Sequence, residues 1–123
     1  MAQVFDGITV LDFTRGMPGG IATMVMSDFG AEVIKVEAPS DEKFRRSSGA
    51  IQWNRGKKSV ILDLKTPPGR EKAHKLARLS DVVIESFRPG VTRRLGIDYA
   101  NLGANHPELV YASLTGFGAE GPY

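Results

Sequence analysis

The stretch ITVLDFTRGMPGGIATMVMSDFGAEVIKVE, residues 8–37, decides the fold. Its first part, Ile8 to Phe13, is an almost unbroken apolar run that begins with β-branched residues, which predicts a buried strand. Pro18, Gly19 and Gly20 then interrupt the chain. A proline suits the first turn of a helix because its missing N–H would have no partner there. A helix is therefore expected to follow the strand.

The helix and the next strand have recognisable ends. Apolar residues recur at helical spacing, namely Ile21, Met24, Val25 and Phe29. Gly30 occupies the position where a glycine commonly ends a helix. Glu32 to Glu37 predicts a second strand, which Ala38-Pro39 closes. Residues 8–37 are thus predicted to form a β-α-β unit.

The same alternation continues along the rest of the chain. Strands are predicted over Ser59–Leu64, Asp81–Glu85 and Leu109–Leu114, and helices over Thr66–Leu79, Pro89–Leu95 and Tyr99–Gly103, the last capped by Asp98. Ser40 to Gly56 is polar and basic, and predicts a long loop anchored by Ile51 and Trp53. Apolar strands between helices are typical of an α/β fold whose parallel sheet is covered on both faces. Ligands of such sheets bind beyond the carboxyl ends of the strands.

Length and composition restrict the classes of protein. A chain of 123 residues can bury one core but not two domains. With 41% hydrophobic and 24% charged residues, it is neither disordered throughout nor collagen-like nor a coiled coil. The sequence has no cysteine, which excludes disulfides, thiolate metal sites and a cysteine nucleophile. It has no apolar run of membrane-spanning length and no secretory signal pattern, so a cytoplasmic protein is expected.

Basic residues are concentrated in one part of the chain. The net charge is only +2, too small to indicate nucleic-acid binding. Between Lys43 and Leu62, however, there is no acidic residue. The basic side chains of this segment are Lys43, Arg45, Arg46, Arg55, Lys57 and Lys58. Such a cluster attracts phosphates, or it forms an ordinary solvated loop.

Few residues offer chemistry of their own. The turn from Thr14 to Gly20 is glycine-rich but matches neither a dinucleotide fingerprint nor a Walker A loop. His74 and His106 lack metal-ligand spacing and are expected at the surface. The carboxylates at strand ends, Asp12, Asp63 and Glu85, are either general bases or structural hydrogen-bond acceptors, and the structural role is favoured. A local ion pair of Asp63 with Lys65 is also open.

The segment Glu85 to Gly96 is the most unusual. Phe87 and Arg88 follow a strand end, and Pro89-Gly90 starts a helix with two more arginines, Arg93 and Arg94. An aromatic ring stacks on a base and arginines bind phosphate, although a packed turn with exposed arginines is the plain alternative.

Several motifs together resemble the class III CoA-transferase family, which includes formyl-CoA transferase, carnitine CoA-transferase and α-methylacyl-CoA racemase. The motifs are Gly7-Ile8-x-Val10-Leu11-Asp12, Asp28 to Glu37, Asn54 to Ser59 with Leu62 to Lys65, Asp81 to Gly90, Leu95-Gly96, and Gly116-Phe117-Gly118-x-x-Gly121-Pro122-Tyr123. They extend over nearly the whole chain. The resemblance implies a Rossmann-like, mostly parallel sheet whose carboxyl edge binds coenzyme A, with residues 1–123 forming a single partial domain.

The resemblance also implies the residues that contact coenzyme A. By motif position these are Met17, Pro18, Ala38, Leu62, Lys65, Ser86, Phe87, Arg88 and Arg94. Some members have arginine at the position of Ala38, and a phosphate contact there would have to come from Arg45 or Arg46. Many members have asparagine at the position of Ser86. No metal and no tightly bound cofactor are implied, because coenzyme A is the substrate.

The family's nucleophilic aspartate follows the Gly-Phe-Gly…Gly-Pro-Tyr motif and hence lies beyond Tyr123, so no catalytic residue is assigned. The resemblance implies an N-terminal portion of an enzyme that moves coenzyme A between an acyl-CoA and a carboxylic acid, in an interlocked homodimer. Residues 1–123 alone are expected to be inactive. An acyl-CoA racemase of the same superfamily, or a non-catalytic nucleotide-binding or interaction module, remains an alternative. Neither a nucleic acid nor a membrane is expected as a partner.

Overall fold

The computed structural model describes residues 1–122, so Tyr123 of the last motif lies outside the described residues. The strands are β1 (Thr9–Asp12), β2 (Glu32–Glu37), β3 (Lys58–Ile61), β4 (Val82–Glu85) and β5 (Val110–Ser113). The helices are α1 (Met17–Asp28), α2 (Glu42–Arg45), α3 (Ser48–Trp53), α4 (Pro67–Arg78), α5 (Val91–Leu95) and α6 (Tyr99–Leu102), with a single 3-10 turn over Pro39–Asp41. Every predicted strand and helix is present, with ends shifted by a few residues.

The five strands form one parallel sheet in the order β3-β2-β1-β4-β5. This is a Rossmann-like order, as the resemblance implied. β1 lies in the centre, where Val10 is paired with Val33 of β2 on one side and with Val82 of β4 on the other. From β1 the chain adds β2 and then β3 on one side, and then crosses the sheet to add β4 and β5 on the other side. The point at which the strand order reverses therefore lies between the neighbouring strands β1 and β4. Ligands of such sheets bind at the crevice that this reversal opens.

Both faces of the sheet are covered, which explains the almost continuous apolar strands. Neighbouring residues of a strand point to opposite faces. Leu11 of β1 packs with Val83 and with Ala73 and Ala77 of α4 on one face. Val10 lies in a separate cluster on the other face with Ala31, Val33 and Ile84, and Ala22 and Met26 of α1 pack against this cluster.

The prediction of a long loop over Ser40 to Gly56 is wrong. The segment contains the 3-10 turn, α2 and α3. The side chain of Ser47 caps α3 by accepting a hydrogen bond from the Ala50 N–H at 3.2 Å. Ala50 is fully buried, and the ring of Trp53 lies 6.4 Å from that of Phe44. Ile51, expected to be an anchor, is 64% exposed.

Two smaller expectations also need correction. β3 ends at Ile61, so Leu62 to Leu64 lie beyond the strand and turn over the carboxyl edge of the sheet. Asp98 does precede α6, but its side chain caps no backbone N–H and accepts instead from the amide of Asn101. Gly30, with φ of 103°, ends α1 as predicted.

No helix within residues 1–122 combines the length and the apolar character needed to cross a bilayer.

Candidate functional site

A cavity of about 480 Å³ opens at the carboxyl edge of the sheet, which is within the range of small-molecule sites. We call it the carboxyl-edge cavity. Its lining residues are Phe13, Arg15, Val36, Ala38, Pro39, Ser40, Leu62, Asp63, Leu64, Lys65, Phe87, Val91, Arg94 and Leu95. Val36 lies in β2, and the others come from the segments that follow β1, β2, β3 and β4, where the sequence places ligand contacts.

The cavity has an apolar floor and a cationic rim. Phe13, Val36 and Leu62 are buried at the ends of their strands or just beyond them. Arg15, Lys65 and Arg94 supply positive charge. The one carboxylate of the lining, Asp63, accepts a hydrogen bond from the backbone N–H of Lys65 at 3.0 Å. Asp63 therefore shapes a turn, and no ion pair with the Lys65 ammonium is seen among the described residues.

The structure brings together part of the set of residues that the resemblance implied. Ala38, Leu62, Lys65, Phe87 and Arg94 all line the carboxyl-edge cavity. The other four lie around it, and none of them contributes to the lining: Met17 and Pro18 in the first turn of α1, and Ser86 and Arg88 in the segment after β4.

Ser86 holds two loops together. Its Oγ accepts a hydrogen bond from the N–H of Arg15 at 2.8 Å and lies 3.2 Å from the Arg15 carbonyl oxygen, to which it donates. The segment after β4 is thereby fixed to the segment after β1. Next to it, the buried carboxylate of Glu85 accepts from the N–H of Phe87 at 2.8 Å and orients the turn that carries the ring. Glu85 has the structural role that the sequence favoured.

Asp12 also has a structural role, at the centre of a buried ionic cluster. Its Oδ1 accepts from the N–H of Thr14 at 2.8 Å and from its hydroxyl at 2.6 Å, and its Oδ2 accepts from the hydroxyl of Thr23 at 2.6 Å. The ammonium of Lys35 lies 3.4 Å from Oδ1, and that of Lys57 lies 3.3 Å from Oδ2. Both carboxylate oxygens are occupied, which leaves none to act as a general base.

The cluster shifts the ionisation of its members. Burial by itself raises the pKa of Asp12, but Lys35, the two threonine hydroxyls and Lys57 outweigh it and hold the pKa below its usual value. Burial lowers the pKa of the Lys57 ammonium, and attraction to Asp12 offsets only part of this effect. Lys57, predicted in a basic loop, is thus internal. It donates to the carbonyl of Gly20 at 3.0 Å and ties α1 to the end of α3.

The three arginines of the Lys43–Leu62 segment are divided between two places. Arg45 pairs with buried Glu37 at 2.8 Å, and Arg46 pairs with exposed Glu42 at 3.4 Å. Both arginines line a second cavity of about 470 Å³ that shares Ala38 and Pro39 with the first. Arg55 instead pairs with Asp28 on the outer surface at 2.6 Å, and it lines neither cavity.

The histidines lie away from the carboxyl edge. His74 is half-buried, and its Nε2 is 2.7 Å from the carbonyl oxygen of Gly96, so that it joins α4 to the end of α5. The surface role expected for it is therefore only partly correct. Across residues 1–122, no three His, Asp or Glu side chains lie together as metal ligands would.

Two charged residues at the rim of the cavity were not singled out in the sequence. Arg15 lines the cavity and pairs with Asp41 of the 3-10 turn at 3.3 Å. Arg15 directly follows the Asp12-Phe13-Thr14 end of the first predicted strand, which is the position that marks a ligand contact in such sheets. Asp41 was hidden within the segment interpreted as a loop.

Known proteins share this sequence and this fold. Residues 5–123 match the model of CoA-transferase family III. A probable fatty acyl-CoA transferase of Mycobacterium tuberculosis is 42% identical over 133 aligned positions, which include 99% of this chain and 34% of that protein. The acetyl-CoA:oxalate CoA-transferase of Acetobacter aceti is 39% identical, over 96% of this chain and 33% of that protein.

Solved structures agree. A crystal structure of the M. tuberculosis protein superposes with a TM-score of 0.91 at 45% identity, over 98% of this chain and 36% of that one. A CaiB/BaiF family protein from Brucella suis also gives 0.91, at 38% identity, over 100% of this chain and 36% of that one. The chain thus spans about a third of the length of the curated relatives it matches. On the family match and these relatives, the chain belongs to CoA-transferase family III.

Proposed function

We propose that this chain is the coenzyme A-binding portion of a class III CoA-transferase, which moves coenzyme A between an acyl-CoA and a carboxylic acid. The observation that carries the proposal is the carboxyl-edge cavity. Five of the residues implied by the family resemblance line it, and its rim is cationic. Relatives named as acetyl-CoA:oxalate and succinate–glutarate CoA-transferases support a transferase over a racemase.

The roles of the lining residues follow from their chemistry. Phe87 offers an aromatic face to the adenine ring, and it is held in place by Glu85 and Ser86. Lys65 and Arg94 have no carboxylate partner among the described residues, so their charges are available to phosphate oxygens. The apolar floor excludes water beneath the ligand. Met17, Pro18 and Arg88 complete the predicted contact set at the margin of the cavity.

Some members of the family have an arginine at the position of Ala38, and the adjoining second cavity offers other arginines that can take over its phosphate contact. Ala38 lies between the two cavities, and Arg45 and Arg46 line the second. Arg46 is 81% exposed, and its ion pair within residues 1–122 is with exposed Glu42, a kind of pair that contributes little to stability. Arg46 is therefore the better candidate for the 3′-phosphate, since Arg45 is bound to buried Glu37.

Other parts of the activity lie outside the described residues. The proposal places the nucleophilic aspartate beyond Tyr123, so residues 1–123 bind coenzyme A but catalyse no transfer by themselves. They form a single partial domain of the enzyme. The interlocked homodimer, the cytoplasmic location and the absence of a tightly bound cofactor remain predictions of the family resemblance.

Calorimetric titration of the 123-residue chain tests the proposal. Coenzyme A should bind weakly, with an affinity that falls as salt is raised, because exposed charges are screened. Dephospho-CoA should bind less tightly than coenzyme A, because it lacks the 3′-phosphate. If no binding is detected, or if the two ligands bind equally well, the assignment of the site is wrong.

A further inference from the structure

Arg15 connects three of the segments that surround the carboxyl-edge cavity. Its backbone is hydrogen-bonded on both sides to Ser86 Oγ, after β4. Its guanidinium lies 3.3 Å from Asp41 Oδ2, after β2, and its Cζ lies 6.0 Å from the centre of the Phe87 ring. Arg15 itself follows β1. The side chain therefore extends along the rim of the cavity, from a ring on one side to a carboxylate on the other.

We propose that Arg15 is a further ligand-binding residue of this site, which Asp41 holds until the pyrophosphate of the bound coenzyme replaces that carboxylate. This inference rests on the proposed function and goes beyond it, because neither the family motifs nor the relatives' names assign Arg15 or Asp41. It makes Asp41 a competitor of the ligand for the same guanidinium.

The ion pair is weak enough to be exchanged. The Arg15 side chain is 52% exposed, and that of its partner Asp41 is 17% exposed. Water and salt reach the pair from the arginine side, and ion pairs that solvent screens typically stabilise a protein only slightly. A diphosphate carries more charge than one carboxylate and matches the planar fork of a guanidinium. Exchange of the carboxylate for the diphosphate is therefore favourable.

The position of Arg15 selects the pyrophosphate among the phosphates of the coenzyme. Arg15 lies between the end of central strand β1 and the start of α1. In dinucleotide-binding sheets with this strand order, the pyrophosphate lies at the turn after the first strand, close to the N-terminus of the first helix. The 3′-phosphate is assigned to Arg46, which lines the second cavity.

Asp41 stays in place when Arg15 leaves it. Its Oδ2 also accepts a hydrogen bond from the N–H of Ala38 at 2.9 Å, across the 3-10 turn. An asparagine at position 41 offers the same Ala38 N–H a neutral oxygen. Asp41→Asn therefore removes the competing charge and retains the turn.

Binding of coenzyme A and dephospho-CoA to variants of the chain tests the inference by calorimetry. Arg15→Ala should weaken binding of both ligands by a similar factor, about tenfold or more, because both carry the pyrophosphate. Arg15→Lys, which keeps the charge but not the fork, should recover part of that loss. Asp41→Asn should tighten binding about two- to fivefold, and this gain should vanish when Arg15 is also alanine.

Arg55→Ala and Asp28→Asn are the matched controls. They alter an exposed Arg–Asp pair that lines neither cavity, and should leave both affinities unchanged. Thermal unfolding of each variant shows whether a loss of binding reflects a loss of fold.

Each outcome supports or contradicts the inference. Failure of the unmodified chain to bind coenzyme A would reject the proposed function and this inference together. Normal binding with Arg15→Ala indistinguishable from Arg55→Ala would reject the inference alone. A loss confined to coenzyme A would move Arg15 to the 3′-phosphate, and no gain from Asp41→Asn would show that Asp41 does not compete.

Discussion

At the scale of single residues, two neighbouring arginines should behave differently. Arg93 and Arg94 both lie in the last turn of α5, and only Arg94 lines the carboxyl-edge cavity. Arg94→Ala should remove one charge-assisted phosphate contact, worth about 1.5–3 kcal/mol, and weaken coenzyme A binding roughly ten- to a hundredfold. Arg93→Ala should have little effect. Equal losses in calorimetric titrations would mean that both arginines are simply solvated.

Asp12 should be among the side chains whose loss costs the most stability. Asp12→Asn leaves the buried ammonium groups of Lys35 and Lys57 without their carboxylate. Removal of one partner from a buried ion pair typically costs about 3–5 kcal/mol. Urea unfolding should show a fall of that size in the free energy of unfolding. Asp28→Asn, at an exposed pair, is the control and should change it by about 1 kcal/mol or less.

The lowered pKa of Asp12 predicts that the free energy of unfolding depends on pH in the acid range. Because the pKa of Asp12 is lowered on folding from its ordinary value of 3.8, its contribution is complete above that value and is lost as pH falls through the folded pKa. The difference in unfolding free energy between the unmodified chain and Asp12→Asn should therefore stay constant from about pH 7 to about pH 5 and shrink as pH falls below about 4. A difference that stays constant below about pH 4 as well would mean that the carboxylate is not held ionised by its neighbours.

The sequence could predict some of these residues but not their partners. The family resemblance assigned Leu62, Lys65, Phe87 and Arg94 by their positions in its motifs, and all four line the cavity. The cluster around Asp12 depends on lysines that are 23 and 45 residues away along the chain. Only the register of β1 with β2, together with the packing of α3 on α1, brings them to one point. No local pattern contains that information.

At the scale of elements, Pro39 to Trp53 shows why a polar segment can still be ordered. Its helices have four and six residues, too few to produce a clear apolar period. Their order depends on the Ser47 cap, on fully buried Ala50 and on contacts of Trp53 with α1. A buried parallel strand is a nearly continuous apolar run, and such a run is easier to recognise in a sequence than a helix of four to six residues. All five strands were therefore predicted.

Gly69, in the first turn of α4, provides a test of packing between elements. A Cβ at this position would overlap the carbonyl of Asp63, in the segment that lines the cavity. Gly69→Ala should therefore lower the free energy of unfolding by about 1–3 kcal/mol, even though alanine favours helices. Gly116→Ala meets no atom within 4 Å and has an ordinary φ, so it should be nearly neutral. Equal effects in urea unfolding would show that α4 can shift away without cost.

At the scale of the whole molecule, exposed apolar surface predicts self-association. Ile21 and Val25 on the outer face of α1, with Phe29 directly after the helix, form a stripe and are 40%, 42% and 53% exposed. Contiguous apolar surface of this kind favours association between molecules. Light scattering at several concentrations should show a mass that rises with concentration, and Ile21→Gln with Val25→Gln should reduce the rise.

Leu79 supplies the control for that experiment. It is 76% exposed, but it lies at the end of α4. Leu79→Gln should leave the light-scattering profile unchanged. A monomer at every concentration, or an equal response to Leu79→Gln, would contradict association through α1.

The central position of β1 has a consequence for synthesis on the ribosome. β1 is made before the other four strands, yet the backbone N–H of its first residue, Thr9, is hydrogen-bonded to Asp81, 72 residues later. At translation rates of about 5–20 residues per second, β4 is completed roughly 4–15 s after β1. During that interval β1 can pair with β2 on one side only. The nascent chain therefore carries an open apolar edge for seconds, and a chaperone that shields extended segments would act on it in this period.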